Sequence, residues 1–218
     1  MPRRRSSIHA IVFFGFVTLY VVQNLLVTRG SIALHRRLGW IGAIWASAMV
    51  VIGITITVTM TRHGTTPFFF LPAYFLVMNS LTIVCFGALV AAAILLRRHT
   101  EWHRRLLFCA VALITGPAFG RLLPMPLLIP YAGWAVFAAV MIWPLIGVLA
   151  DRRQRGAVHP AWRWGAGAMV ATQLATVLIP HTPLGIALYA AATAGHPGAE
   201  VAPLEFPPPP AGPLITGR

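Results

Sequence analysis

The sequence predicts an all-α fold, a polytopic transmembrane helical bundle of six spans, with five or seven spans as the alternatives. Composition is the first reason: 58% of the 218 residues are hydrophobic and 10% are charged, whereas soluble domains carry about 25% charged residues. Six uncharged apolar stretches also run through the chain, each close to the roughly 20 residues that cross a bilayer as a helix. Short Arg clusters separate these stretches, as in the loops of membrane proteins.

The first three spans are expected at about residues 8–28, 38–60 and 72–96. The first is longer than the apolar core of a signal peptide, which has about 7–15 residues, and we interpret it as a retained helix. Ser31 is a candidate N-cap that would start the second helix ahead of its apolar part. Pro72 suits the first turn of the third helix, because an amide hydrogen is not needed there.

The last three spans are expected at about residues 104–123, 131–150 and 164–180. Thr100 is a candidate cap for the fourth helix, and the Gly116-Pro117 pair predicts a kink within it. Residues 1–182 thus form the bundle. The tail, residues 183–218, is Pro-rich and is expected to be mobile rather than packed. The alternatives for residues 184–194 are a short interfacial helix and a weak extension of span six.

The charge pattern predicts partners and orientation. All 17 basic residues are Arg, and the net charge is +13. Because the Arg residues lie between spans, we expect membrane lipids with anionic headgroups as partners, with a membrane protein as a further partner, and no nucleic acid. The connections after spans one, three and five hold eleven Arg residues against six elsewhere. The positive-inside rule then puts both termini outside a bacterial inner membrane, although the N-terminal Arg trio favours the reverse.

Three helix starts combine His with Arg and form the candidate binding site. Helix N-termini attract anions through their free amide hydrogens and their dipole. We favour anchoring of these side chains to lipid phosphates; the alternative is a haem b or metal site with His ligands and Arg beside the haem propionates. The candidate cofactor-binding residues are His35, His103, His159, Arg36 and Arg104.

Four polar side chains fall inside the predicted spans, namely Gln23, Asn24, Asn79 and Gln173. Such groups need hydrogen-bond partners in hydrocarbon. We favour interhelical hydrogen bonds as their role, and a polar cavity for a quinone, a lipid or another small solute is the alternative. No Asp or Glu lies within a span interior, which argues against a proton-coupled transporter.

Motifs of the common enzyme classes are absent from the sequence. The chain has no phosphate-binding Gly-Lys-Ser/Thr loop, no His-Glu-x-x-His and no Gly-x-Ser-x-Gly. We therefore expect a non-enzymatic bundle with a basic surface that faces lipid or a partner, and we assign no catalytic residue and no metal-ligand set. The alternatives are a haem- or metal-binding electron-transfer protein and a small-solute transporter.

Short motifs carry a family resemblance. The segments His-Arg-Arg-Leu-Gly-Trp at 35–40, Trp-His-Arg-Arg-Leu-Leu at 102–107 and Gly-Arg-Leu-Leu-Pro at 120–124 resemble a family of uncharacterised bacterial multi-span integral membrane proteins. The resemblance extends over most of residues 8–180 and implies a helical membrane fold, with no activity to carry over. The His-Arg pairs are also similar to those of small haem-binding membrane proteins.

Overall fold

The apolar stretches all become helices. The computed structural model describes residues 2–209, with side chains from residue 12 onward, and contains no strand in that range. The eight α-helices are α1 (Pro2–Thr28), α2 (Ile32–Arg62), α3 (Pro72–Leu95), α4 (Thr100–Leu113), α5 (Gly116–Leu122), α6 (Ala132–Arg155), α7 (Pro160–Leu178) and α8 (Pro183–Thr193). Short 3₁₀ turns occur at Met125–Leu128, Ile179–His181 and Pro197–Glu200.

Several of these helices are long and apolar enough to cross a membrane. Within residues 2–209 four meet both criteria: α2, α3, the combined α4 and α5, and α6. A fifth is added if α7 and α8, which meet at a bend of 78°, count as one broken span. The apolar part of α1, Val12–Thr28, is shorter. The all-α fold is therefore confirmed, with four or five helices that could span a membrane, and the count of six spans stays a prediction.

The helix boundaries follow local sequence signals. Helix α3 begins at Pro72 as predicted, and Ser31 lies at the N-cap position of α2. The structure corrects the start of α4, because His99 occupies the N-cap position and Thr100 is already helical. The predicted kink corresponds to the break between α4 and α5 at residues 114–115, directly before Gly116-Pro117, where proline removes a backbone donor.

Helix α3 lies at the centre of the bundle and packs against α2, α4, α7 and α8. Its Phe86 is fully buried, and Met49 of α2 and Met169 of α7 are buried in the same core. Glycines allow the close approaches: a Cβ on Gly165 of α7 would lie 2.6 Å from the Cys109 sulfur of α4. Small residues at crossings are typical of membrane helix packing.

The expectation of an unpacked tail is corrected by the structure for residues 183–206. The amide of Ala73 donates to the Pro203 carbonyl at 3.0 Å, and the Tyr189 hydroxyl donates to the Gly198 carbonyl at 2.9 Å. Arg62 at the end of α2 also donates to the Ala192 carbonyl. Pro183 and Pro197 lie in the first turns of their helices, where a missing amide hydrogen is tolerated. They do not prevent these bonds, and the segment folds back onto α2 and α3. Residues 210–218 lie outside the described part.

The bundle has two chemically different ends. The basic end consists of the connections 29–31, 96–99 and 156–159 with the helix turns that flank them. The aromatic end consists of the connections 63–71 and 123–131 with residues 179–209. Contacts across the bundle support this division, since Trp40 near the start of α2 faces Arg97 at the end of α3.

Candidate functional site

A buried ion pair joins α4 to α6 at the basic end. The Arg105 side chain is 2% exposed and the Asp151 side chain 9% exposed. The guanidinium donates twice to the carboxylate, from Nε to Oδ2 at 2.7 Å and from Nη2 to Oδ1 at 2.5 Å. This two-bond arrangement matches the planar fork of Arg to the carboxylate and is among the strongest hydrogen-bonded pairs in proteins.

Further groups complete the hydrogen bonds of this pair. The Trp162 indole of α7 donates from Nε1 to Asp151 Oδ2 at 2.8 Å. Arg105 also donates to the carbonyl and the carboxylate of Glu101, one turn earlier on α4. The Glu101 carboxylate in turn receives Arg104 at 2.9 Å and Arg155 at 2.8 Å. Three helices therefore converge on one acidic residue, Asp151.

The loss of stability on breaking this network depends on how deeply each side chain is buried. A buried charge that loses its partner is strongly destabilising, because its desolvation is no longer offset. Arg104 and Arg155 are about half exposed, and such exposed pairs contribute little. Arg105 and Asp151 therefore contribute most of the stability of this network. Glu101 links them to the solvent-exposed Arg residues around them.

The structure brings two of the predicted histidines together. The rings of His35 on α2 and His103 on α4 are perpendicular, with centroids 6.5 Å apart. His103 Nδ1 lies 2.8 Å from the Ala93 carbonyl and donates to it, so that in the neutral ring Nε2 is the acceptor. Both rings are half-buried.

Gln23 of α1 forms hydrogen bonds with His35, one member of this histidine pair. In the amide orientation that satisfies both its ends, Gln23 donates to His35 Nδ1 and to the His35 carbonyl at 3.1 Å, and accepts from the Gly39 amide at 2.9 Å. His35 then holds its proton on Nε2 and presents a donor, whereas His103 presents an acceptor. Gln23 is the predicted intramembrane residue that bonds between helices.

His159 has a capping role at the start of α7. Its Nδ1 accepts a hydrogen bond from the Ala161 amide at 3.1 Å, as an N-cap side chain does. The Trp102 ring lies edge-on to it, with centroids 5.5 Å apart. Burial lowers the pKa of His159, and the Arg105 charge adds to that shift. The ring is therefore neutral at pH 7, which is the form that can accept the bond.

We predict a pH dependence from this cap. Protonation at low pH removes the Nδ1 lone pair, and because the folded pKa is lowered, the unfolded chain binds the proton more readily. Stability should therefore fall as the pH drops below about 6.5, the ordinary pKa of His, by up to the roughly 1 kcal/mol of an N-cap. Thermal unfolding in detergent at pH 7.5 and 5.5 measures it.

The control for this prediction is His159→Asn. Asn caps helices without titrating, so the variant should lose less stability than the wild type over the same pH interval. An equal loss in both proteins would contradict the role of His159.

The other predicted polar residues occupy separate positions. Asn24 is exposed and donates to the Tyr20 carbonyl, and Asn79 donates to the Phe75 carbonyl. Each of these bonds lies within its own helix, and within the described residues neither amide forms the interhelical bond that we predicted. Gln173 is buried at 7% exposure, and its Nε2 has no hydrogen-bond partner in the described residues.

The two predicted Arg residues differ in whether they form an ion pair. Arg36 is exposed and makes no ion pair within the described residues, whereas Arg104 is engaged by Glu101. Asp151 and Trp162 were missed as site residues by the sequence reasoning. One signal was present: Asp151 is one of four acids in the chain and directly precedes Arg152 and Arg153 at the end of an apolar stretch.

Comparisons with known proteins add no relative. No protein-family model, no curated protein and no solved structure matches the chain. Among the described residues no group of three or more His, Cys, Asp and Glu side chains is placed to hold a metal ion. The arrangement of the basic end itself is therefore the basis for a functional assignment.

Proposed function

We propose that this protein is a non-enzymatic, multi-pass protein of the bacterial inner membrane whose basic end binds anionic phospholipid headgroups. One observation carries the proposal: most Arg residues of the basic end are exposed and have no acidic partner within the described residues. They are Arg29, Arg36, Arg37, Arg97, Arg98, Arg152, Arg153 and Arg163. Membership of the His-Arg-Arg family is part of the proposal and rests on residues 35–40, 102–107 and 120–124.

The charge balance of this end favours an anionic surface as partner. Eleven Arg residues lie there against two acids, Glu101 and Asp151, and both acids are already bound by Arg. The remaining positive charge can be neutralised by lipid phosphates, each basic residue near such a surface contributing about 1 kcal/mol. The positive-inside rule then places this end in the cytoplasm.

In the proposed topology the chain crosses the membrane six times. Counting α1 as the first span and α7 as the last puts the connections 29–31, 96–99 and 156–159 on one side. The 78° bend before α8 suits a helix that lies at the opposite interface rather than one that continues across. Reporter fusions at residues 30, 98 and 157 test this arrangement and should all report the cytoplasmic side.

Lipid dependence tests the function. The protein is reconstituted in nanodiscs of phosphatidylcholine alone or with phosphatidylglycerol, and the midpoint of thermal unfolding is measured. Anionic lipid should raise the midpoint of the wild type, and the double variant R36Q/R37Q should lose a clear part of that rise, about 1 kcal/mol per Arg. The mechanism is electrostatic, so high salt should reduce the rise as well.

Arg121→Gln is the matched control. Arg121 is exposed at the far end of α5, where it donates to the Pro117 carbonyl of its own helix. The control should keep the full rise in phosphatidylglycerol. If R36Q/R37Q keeps it as well, anionic headgroups do not act at the basic end.

The histidine pair favours a second candidate function, binding of haem b or a metal. The His35 and His103 rings are close and perpendicular, and His103 has a free Nε2. Coordination by His35 would require a change of its tautomer, since Gln23 occupies Nδ1. An absorption spectrum and metal analysis of protein purified from membranes test this candidate. A Soret band that disappears in His103→Ala would support it, and the absence of both haem and metal would exclude it.

A further inference from the structure

A cavity of about 260 Å³ lies at the aromatic end, far from the Arg residues of the basic end. It lies between α3, α6, the end of α7 and the returning tail, and it is open on one side. Most of its lining side chains are aromatic, namely Phe69, Phe70, Tyr74, Trp134, His181 and Phe206. The volume greatly exceeds the roughly 30 Å³ of one water molecule and approaches that of small-ligand pockets, about 300–1,000 Å³.

Two buried hydrogen-bond donors, one on a residue that lines this cavity and one on a neighbouring residue, have no partner within the described residues. The Tyr74 hydroxyl is buried and makes no hydrogen bond within the described residues, and the same is true of Gln173 Nε2. Gln173 and Thr176 lie close enough to interact with that hydroxyl, but neither forms a hydrogen bond of normal geometry with it. Thr176 donates instead to the Gln173 carbonyl at 2.8 Å. Buried donors are nearly always satisfied in proteins, so an unpaired pair calls for an explanation.

The backbone around Tyr74 leaves room for its hydroxyl. A Cβ on Gly133 of α6 would lie 2.0 Å from the Tyr74 oxygen, so the phenol fits only because residue 133 has no side chain. Helix α6 therefore approaches the hydroxyl of α3 closely without giving it a partner. The tail closes another side, since Phe206 lines the cavity and Pro203 is bonded to Ala73.

We propose that this cavity binds the ring of a lipid-soluble quinone. A quinone ring is flat and can stack on aromatic side chains. Its carbonyl oxygens accept hydrogen bonds, which are what the Tyr74 hydroxyl and the Gln173 amide lack. Its apolar tail can remain in the surrounding lipid. An acyl chain would fill the space but offer no acceptor, and an anion would find no Arg among the lining residues.

Fluorescence quenching by a decyl-tailed benzoquinone tests the proposal. The full-length protein is reconstituted in nanodiscs, and the quinone is titrated while Trp emission is recorded, because Trp134 lines the cavity. We expect saturable quenching, much of it absent in Trp134→Phe. Tyr74→Phe and Gln173→Leu should each raise the dissociation constant about tenfold, the effect of one lost hydrogen bond.

Matched controls make the result specific. Tyr131→Phe changes an exposed tyrosine at the same end, and Gln154→Leu changes an exposed glutamine at the basic end; both should bind like the wild type. Thermal unfolding verifies that each variant is folded, and Gln173→Leu decides the matter if Tyr74→Phe does not fold.

Three outcomes would overturn the proposal. The first is quenching that never saturates, as expected for simple partitioning into lipid. The second is an unchanged dissociation constant in both Tyr74→Phe and Gln173→Leu. The third is displacement of the quinone by decylbenzene at equal concentration, which would identify the cavity as a site for apolar chains without carbonyl recognition.

Discussion

Replacing Asp151 by Asn is expected to lower the free energy of unfolding by about 3–5 kcal/mol, the cost of removing one partner from a buried ion pair. Arg105 would keep its charge at 2% exposure and lose the carboxylate that receives Nε and Nη2. Arg105 would keep its bond from Nη1 to Glu101, but the Glu101 carboxylate also binds Arg104 and Arg155 and does not reach Nε or Nη2. Reversible unfolding in mixed micelles, followed by circular dichroism, measures the change.

Two further variants distinguish the effect of breaking the buried ion pair from the effect of removing any charge at this end. Arg104→Gln removes a half-exposed partner of Glu101 and should cost no more than about 1 kcal/mol. The double variant Arg105→Met, Asp151→Leu removes both charges and should recover much of the stability lost in Asp151→Asn, since apolar replacements of buried pairs are often neutral. A double variant as unstable as Asp151→Asn would contradict this account.

Gly147→Ala should be the second strongly destabilising change, by about 1–3 kcal/mol, the usual cost of overpacking. A Cβ on Gly147 would lie 2.1 Å from the Trp162 ring. The ring cannot easily move away, because its Nε1 is bonded to Asp151 and its other side meets Phe108 at a centroid distance of 5.6 Å. Equilibrium unfolding together with near-ultraviolet circular dichroism of the Trp residues detects both the instability and the displaced ring.

Gly167→Ala is the matched control for this substitution. Gly167 is also helical, on α7, and a Cβ there would meet nothing within 4 Å. The change should be neutral or stabilise by about 1 kcal/mol, the difference in helix propensity between Ala and Gly. Equal destabilisation by both substitutions would show that Gly147 is not tied to Trp162.

Gly147 and Asp151 both contact Trp162 and belong to one contact region between α6 and α7. Trp162 lies against Gly147 and bonds to Asp151, which is one turn further along α6. A shift of α7 relative to α6 would therefore disturb the Arg105–Asp151 pair. The exposed Arg residues of the proposed lipid-binding surface are held in place by the same three helices, so we expect the Asp151→Asn protein to lose part of its response to anionic lipid as well.

The sequence alone determined the helical membrane character and the grouping of Arg residues between apolar stretches. Hydropathy is a sum over neighbouring residues, and a backbone in hydrocarbon must satisfy its own hydrogen bonds, which leaves helices as the solution for such stretches. Helix starts such as that at Pro72 were also readable, because capping and proline effects act within a few residues.

Only the tertiary structure decided which side chains meet. The Arg105–Asp151 pair spans 46 positions of the chain, and the helices that carry it are apolar on most sides, so periodicity does not reveal which face turns inward. For the same reason the sequence placed Asn79 and Gln173 in one class, although Asn79 bonds within its helix and Gln173 is buried next to Tyr74. The folded tail was missed because its anchor is backbone bonding, which composition does not encode.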